Sequence, residues 1–404
     1  MTANILFLAD RLPRPHYEGY KARSFHLLKH LARVHRIFLG TFIDNPEDEA
    51  HLEVVRPLCA SLRIIRRRSR LAKIRSLGGL LAGESLTLRY YRDNDLQDWI
   101  DETCQRRHID AAVITSSAMA QYVEHLTRLR TLIDFVDVDS AKWIQYASHR
   151  RWPLSWLYQR EGRLLLAYER KMAAQAARSF FVTENKAILF RNRAPECAVR
   201  VEALGNGVDA SYFAPDLQRP SPYPTGEIPI VFIGAMRCSA DLKAITWFTT
   251  TVLPDLLRHH PNIHLYIIGR SPIPEVLALT NDGITVTGSV PDERPWLQYA
   301  TAVVAPSYSS RSIHNDILEA MAMSRPVVTS AECAVAIDAV FGKELLIATL
   351  PDDYVAAIQK IIHDPETAIL IGEAARRRVV ENHNWGAKLI GIDRYLPGAG
   401  VSSE

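Results

Sequence analysis

Short apolar runs of strand length alternate with longer amphipathic stretches from the first residues to about Asp209, and no other feature constrains the chain so tightly. Repeated strand–helix–strand units build parallel sheets, because the crossover helix returns the chain to the same end of the sheet. The expected strands are Ile5 to Ala9, Ile37 to Phe42, Ala111 to Ser116, Leu132 to Val138, Phe180 to Thr183 and Val199 to Leu204. From Pro215 to Pro229 five prolines and Gly226 interrupt the pattern, so 215–228 reads as an interdomain linker. The runs IPIVFIG, IHLYIIG, ITVTG, AVVAPS and PVVTS then read as a second series of parallel strands, with helical stretches near 241–257, 293–300, 314–323 and 352–383. The chain is therefore expected to be α/β, with a first domain over 1–214, a second over 229–380, and a tail over 381–404 packing back on the first.

Length agrees with two domains, since 404 residues exceed the roughly 250–300 at which one hydrophobic core stops growing. With 48% apolar and 23% charged residues the composition is that of a globular protein. Cys59, Cys104, Cys197, Cys238 and Cys333 are scattered and unpaired in sequence, which argues against a disulfide framework or zinc site and for a reducing cytoplasm. The opening run NILFLA lacks the basic start of a signal peptide, and no stretch reaches the roughly 20 apolar residues of a membrane span. A net charge of +3 is too small to imply nucleic acid as a partner.

Parallel sheets bind ligands beyond the carboxyl ends of their strands, so residues just after each strand come first. Gly234, Gly269 and Gly288 each end an expected strand, where a missing side chain lets backbone approach a ligand. In RSIHNDILEAMAMSRPVVTS a polar loop leads into a short helix, whose N–H groups around Ser312, Ile313, His314 and Asn315 suit a diphosphate. Glu319, one turn further in, can accept hydrogen bonds from two vicinal ribose hydroxyls. Asp316 would repel phosphate unless it serves the first helical turn. In the first domain, LIDFVDVDSAKW ends a strand with Asp134, Asp137 and Asp139, followed by Lys142 and Trp143. Asp137 or Asp139 contacts a hydroxyl of a bound ligand, caps a turn, or, less in keeping with two domains, holds a metal with its neighbour. The stretch Arg63 to Arg75 interleaves seven basic residues with apolar ones and reads as a basic amphipathic face suited to an anionic membrane surface, with Trp152 and Trp156 as further interfacial residues.

The segments LADRLPRPHYEGYKARSFHLLKHLA, DFVDVDSAKW, LGNGVD, FIGAM, LYIIG, VTGSVPD, ILEAMAMSRPVV and RRRVVENHNWGAKL resemble the family-4 type of retaining GT-B glycosyltransferases. Within that group the chain looks most like the sugar transferases found with exopolysaccharide and PEP-CTERM sorting systems. The resemblance implies two Rossmann-like domains with parallel sheets facing a cleft, the second holding a nucleotide-diphosphate sugar and the first a glycan or lipid-linked acceptor. It assigns the donor ribose to Glu319, phosphate to Arg237 and Lys243, and the base to backbone around Ser289 and Val290. Arg311 stands where a glutamate commonly touches the donor sugar, and a guanidinium there can bind phosphate instead. The glycine-bearing loop makes Gly19, Lys21 and Arg23 acceptor candidates, with Lys142. The reaction implied is sugar transfer with retention of configuration, using no cofactor and no metal, in cell-surface polysaccharide synthesis at the cytoplasmic side of the membrane. Asp137, Asp139, Arg311 and Glu319 are the residues placed nearest the chemistry, while His16, His26 and His314 are given no role as bases. The alternatives are a nucleotide-sugar epimerase of the same fold and a non-catalytic binding subunit of a polysaccharide assembly.

Overall fold

The computed structural model describes residues 2–15, 20–67, 69–148, 150–234, 239–269, 272–306 and 315–397, with the side chains of residues 20, 21, 46, 69–71, 239–241 and 336 outside the description. The chain divides into a first unit, up to Gly205 and again from Leu389, and a second unit, Asn206–Lys388.

The first unit is built on a seven-stranded sheet: β1 (Asn4–Ala9), β2 (Arg36–Ile43), β3 (Ser61–Arg66), β4 (Ala111–Thr115), β5 (Arg130–Val136), β6 (Arg178–Phe181) and β7 (Val201–Ala203). All neighbours are parallel and the order is β3-β2-β1-β4-β5-β6-β7, so the winding reverses between β1 and β4. Leu6, Leu8, Ile114 and Ile133 pack into one core while the alternate residues Ile5, Phe7, Val113 and Leu132 are equally buried. Both faces are covered, which explains the unbroken apolar runs of the central strands. The second unit has six parallel strands: β8 (Ile228–Ile233), β9 (Ile263–Ile268), β10 (Ile284–Gly288), β11 (Ala302–Ala305), β12 (Val327–Thr329) and β13 (Leu346–Ile347), in the order β10-β9-β8-β11-β12-β13. Here Val231 and Ile233 face one core and Ile230 and Phe232 the other, the period of two that a strand imposes.

Several expectations are corrected. The stretch from Arg63 to Arg75 is not one amphipathic face. Its first part is β3, an edge strand on which Arg63 and Arg66 are exposed and Leu62, Ile64 and Ile65 half-buried. Arg67 is drawn inside. Its guanidinium makes two hydrogen bonds to Asp44, at 2.9 and 2.8 Å, and lies 4.8, 4.1 and 4.3 Å from the ring centres of Phe42, Tyr90 and Tyr91. Arg68 and the side chain of Arg70 lie outside the described residues. The proline-rich stretch over 215–228 belongs to the second unit, and the crossing falls earlier, at Gly205 and Asn206. Prolines shape its turns, but Phe213 enters the second core, and Asp216 and Gln298 exchange backbone–side-chain hydrogen bonds at 3.0 and 2.7 Å. The single helix expected over 352–383 is broken at Asp364, which caps Thr367 at 3.0 Å while Pro365 opens a new helix without an N–H to donate.

Candidate functional site

In the first unit the loops at the winding reversal enclose a pocket of about 330 Å³. Asp10 and Arg11 reach it from the end of β1, Thr115 and Ser116 from β4, and the stretch Asp134 to Asp139 from β5. Lys142, Trp143 and Tyr146 enter from the helix Asp139–Ser148, and Thr87 and Tyr91 from the helix Leu86–Tyr90 and its cap. Two of the strand ends are strained. Ser116 has φ 79° and Val136 φ 64°, a region that costs L-residues energy and that a β-branched side chain rarely enters. At Val136 the register of β5 against β6 skips Phe135, so a bulge turns the following carboxylates toward the pocket.

Those carboxylates differ. Asp134 is 1% exposed and makes a two-pronged pair with Arg23, Nε to Oδ2 at 2.6 Å and Nη2 to Oδ1 at 2.9 Å. Arg23 is thereby placed in a buried brace beneath the pocket rather than on a loop reaching for an acceptor. Asp137 faces Lys186 at 2.8 Å and Lys142 at 3.3 Å. Burial pushes its carboxyl up, but the hydrogen bond from Lys186 and the charges of both lysines outweigh this and hold it below the usual range. Asp139 is raised by burial despite Lys142 at 3.1 Å, with Asp137 adding to the rise. Asp10, which follows the last residue of β1, is raised to about 6 by burial, against the charge of Arg11 and with the help of Asp139. Among the described residues no group of three His, Cys, Asp or Glu side chains could hold a metal ion.

The two helices that wall the pocket are held from behind by one helix, Leu154–Gln175. Glu161, buried, accepts the Ser85 hydroxyl at 2.6 Å and the backbone N–H groups of Leu86 and Thr87, each at 2.8 Å. Glu169, also buried, accepts the Ser140 hydroxyl at 2.6 Å and its N–H at 3.2 Å. Each carboxyl thus serves the open N-terminus of a helix. Glycine at 162 permits the approach, because a Cβ there would stand 2.6 Å from Ile144 and 2.9 Å from the Ser140 carbonyl. Burial raises Glu169 to about 8, opposed by the Ser140 hydrogen bonds.

In the second unit, Gly234 and Gly269 follow β8 and β9 and are buried at the same edge of the sheet. Gly288 ends β10 in a bulge, with φ 68°, which glycine adopts without strain. Ser289 beyond it is exposed, and Val290 packs partly on the second core. The helix Asn315–Ala322 begins at this edge, with Asp316 in its first turn and half-buried Glu319 one turn beyond Asn315. Two buried polar atoms, Asn315 Oδ1 and, after β12, Ser330 Oγ, have no hydrogen-bond partner among the described residues. Such orphans at a strand-end edge mark where a polar ligand fits. Lys243 is exposed on the helix Ser239–Trp247. Gly19, Arg237, Arg311, Ser312, Ile313 and His314, and the side chain of Lys21, lie outside the described residues.

A family match falls on the same unit, and solved structures resemble nearly the whole chain. Residues 227–364 match the family model described as Glycosyl transferases group 1. No curated protein matches the chain. Among solved structures, a sucrose-phosphate synthase from Thermosynechococcus elongatus is similar over 97% of this chain and 98% of its own, with TM-score 0.65 and 17% identity. HepE of Anabaena, solved in complex with UDP-glucose, is similar over 97% and 98%, with TM-score 0.63 and 14% identity. WaaG, a glycosyltransferase involved in lipopolysaccharide biosynthesis, is similar over 98% and 100%, with TM-score 0.59 and 15% identity. The fold is GT-B, two α/β units each on a parallel sheet.

Of the residues expected from sequence, the structure brings Asp137, Asp139 and Lys142 together in the first pocket, and sets Asn315, Glu319 and the strand-end glycines along one sheet edge of the second unit. Asp10, Tyr91, Glu161 and Glu169 were missed. Asp10 had a signal, since it directly follows the run NILFLA.

Proposed function

We propose that this protein is a glycosyltransferase that takes its sugar from a nucleotide-diphosphate donor held by the second unit and passes it to a hydroxyl held by the pocket of the first. The observation that carries the reading is the coincidence of the family match over 227–364 with an unsatisfied, glycine-bordered strand-end edge. There Glu319 accepts the ribose hydroxyls, and the N–H groups opening the Asn315–Ala322 helix face the diphosphate. The bond between the anomeric carbon and the departing diphosphate breaks as the acceptor oxygen bonds to that carbon on the same face. The acceptor proton passes to a diphosphate oxygen, so no dedicated base is required and no metal is assigned a step. HepE, whose solved complex holds UDP-glucose, makes UDP-sugars the first donors to try. A thermal-shift screen of nucleotide-sugars tests the reading, because a ligand of the folded state raises its stability. A shift with UDP-sugars, followed by transfer to an acceptor rather than epimerised donor or no turnover, supports it, and no shift with any nucleotide counts against it.

The proposal extends to a lipid-linked acceptor in cell-surface polysaccharide synthesis. Near the exposed Lys73 and Arg75, the apolar side chains of Ile74, Leu77 and Leu81 stand in solvent, and Trp152 and Trp156 are 81% and 50% exposed. Apolar anchors beside cations suit an anionic membrane. No described helix is long and apolar enough to cross one. Co-sedimentation with anionic vesicles should fall on replacing Leu81 and Trp152 by Ser; Arg67 is unsuitable for such a test because it braces the fold.

A further inference from the structure

The first-unit pocket holds a carboxyl group that the fold leaves largely unused. Asp10 is 8% exposed and lines the pocket where the winding reverses. Among the described residues its side chain accepts hydrogen bonds from its own backbone N–H and, at a long 3.4 Å, from the Tyr91 hydroxyl, and forms no ion pair. Asp134 is satisfied by Arg23, Asp137 by two lysines and Asp139 by Lys142. A carboxylate offers about four acceptor sites, so Asp10 keeps sites open toward the pocket that a ligand hydroxyl can fill. Asp139 opens the neighbouring helix and its charge is felt at Asp10. The cations lining the pocket already face acids: Arg11 stands 3.8 Å from Asp44, and Lys142 bridges Asp137 and Asp139. Tyr91, Trp143 and Tyr146 add ring faces against which the C–H side of a sugar can lie.

We propose that this pocket takes an uncharged, hydroxyl-rich sugar as acceptor, with Asp10 and Asp139 accepting its hydroxyl protons in hydrogen bonds, and that it rejects phosphorylated sugars. The inference rests on the glycosyltransferase reading and adds the chemical class of the acceptor. A phosphate would meet four carboxylates and cations that already face acids, whereas a neutral hydroxyl donates to the acceptor sites that Asp10 keeps open.

Saturation-transfer NMR and calorimetry on the full chain test this with methyl glucosides, galactosides and mannosides and with their 6-phosphates, while UDP binding is followed separately by thermal shift. At least one neutral glycoside should bind, its 6-phosphate at least tenfold more weakly, and Asp10→Asn should weaken the neutral glycoside about tenfold with UDP binding unchanged. Equal or tighter binding of the 6-phosphate overturns the proposal, as does an Asp10→Asn protein that folds and binds the glycoside normally. The wild-type comparison decides the matter if the variant does not fold. No glycoside binding beside intact UDP binding overturns the acceptor class alone, and loss of both faults the transferase reading beneath it.

Discussion

Glu161 and Glu169 stand about two turns apart on the buried face of one helix and cap two different helices, Leu86–Tyr90 and Asp139–Ser148, that wall the same pocket. A single rigid element therefore sets the spacing between Tyr91 on one side and Asp139, Lys142 and Trp143 on the other. Of the two carboxyls only Glu169 lies next to a pocket acid in sequence contact, through Ser140 and its neighbour Asp139.

Glu169 makes stability depend on pH. Its carboxyl is raised from 4.5 to about 8 by burial, so between those values the folded chain keeps a proton that the unfolded chain has lost. Stability attributable to this group thus falls as pH rises through the window, by at most about 1.4 kcal/mol per pH unit. Urea unfolding of the parent and of Glu169→Gln from pH 4 to 9 should show the parent's excess fall absent from the variant; parallel curves would contradict the assignment.

Arg23→Met should destabilise the first unit by about 3–5 kcal/mol, because Asp134 is left charged and unpaired in the interior. Adding Asp134→Leu should recover most of the loss, since two apolar groups need no partner. Denaturant midpoints of the single and double variants measure both, and a double variant no more stable than the single one would show that the cost lies in packing.

Ser116→Gly should stabilise the fold by about 1 kcal/mol by relieving a φ of 79° that serine adopts at a cost. A lower thermal midpoint would mean that the hydroxyl contributes more than the strain removes.

Glu319→Gln should weaken donor binding by about 1.5–3 kcal/mol for each charge-assisted hydrogen bond lost, with an unchanged melting profile. Calorimetry with the nucleotide-sugar found by screening reads this directly, and unaltered affinity would remove the ribose role.

Transfer activity should survive EDTA. If chelation abolishes it and manganese restores it, the acids at 10, 137 and 139 would have to be reconsidered as ligands.

The strands could be read from sequence because both faces of each sheet are buried, and so Ile5 to Ala9 or Ile228 to Ile233 are apolar without a gap. The same rule located Asp137 and Asp139, which follow such a run. It did not reveal β3, an edge strand whose arginines broke the apolar signal, nor the engagement of Arg67 with three rings that are scattered in sequence. The pairing of Arg23, read as an acceptor candidate, with Asp134, read as one of three acids at a strand end, was hidden for a related reason. Each is polar by type, and only their meeting across a sequence separation of 111 makes burial tolerable.

The return of the chain to the first unit at Leu389 has a bearing on synthesis. Leu389, Ile392 and Leu396 are buried there, His30 meets Asp393 at 2.8 Å, and Arg394 meets Glu202 at 2.6 Å. The first unit is thus discontinuous, and its last pieces emerge from the ribosome only after the whole of Asn206–Lys388, a delay of roughly 10 to 40 s at about 5–20 residues per second. During that interval the second unit is complete in sequence and free to fold, whereas the nascent first unit waits with an open apolar seat. The first unit therefore closes its core only when Leu389, Ile392 and Leu396 arrive, so its folding cannot finish ahead of the synthesis of the second.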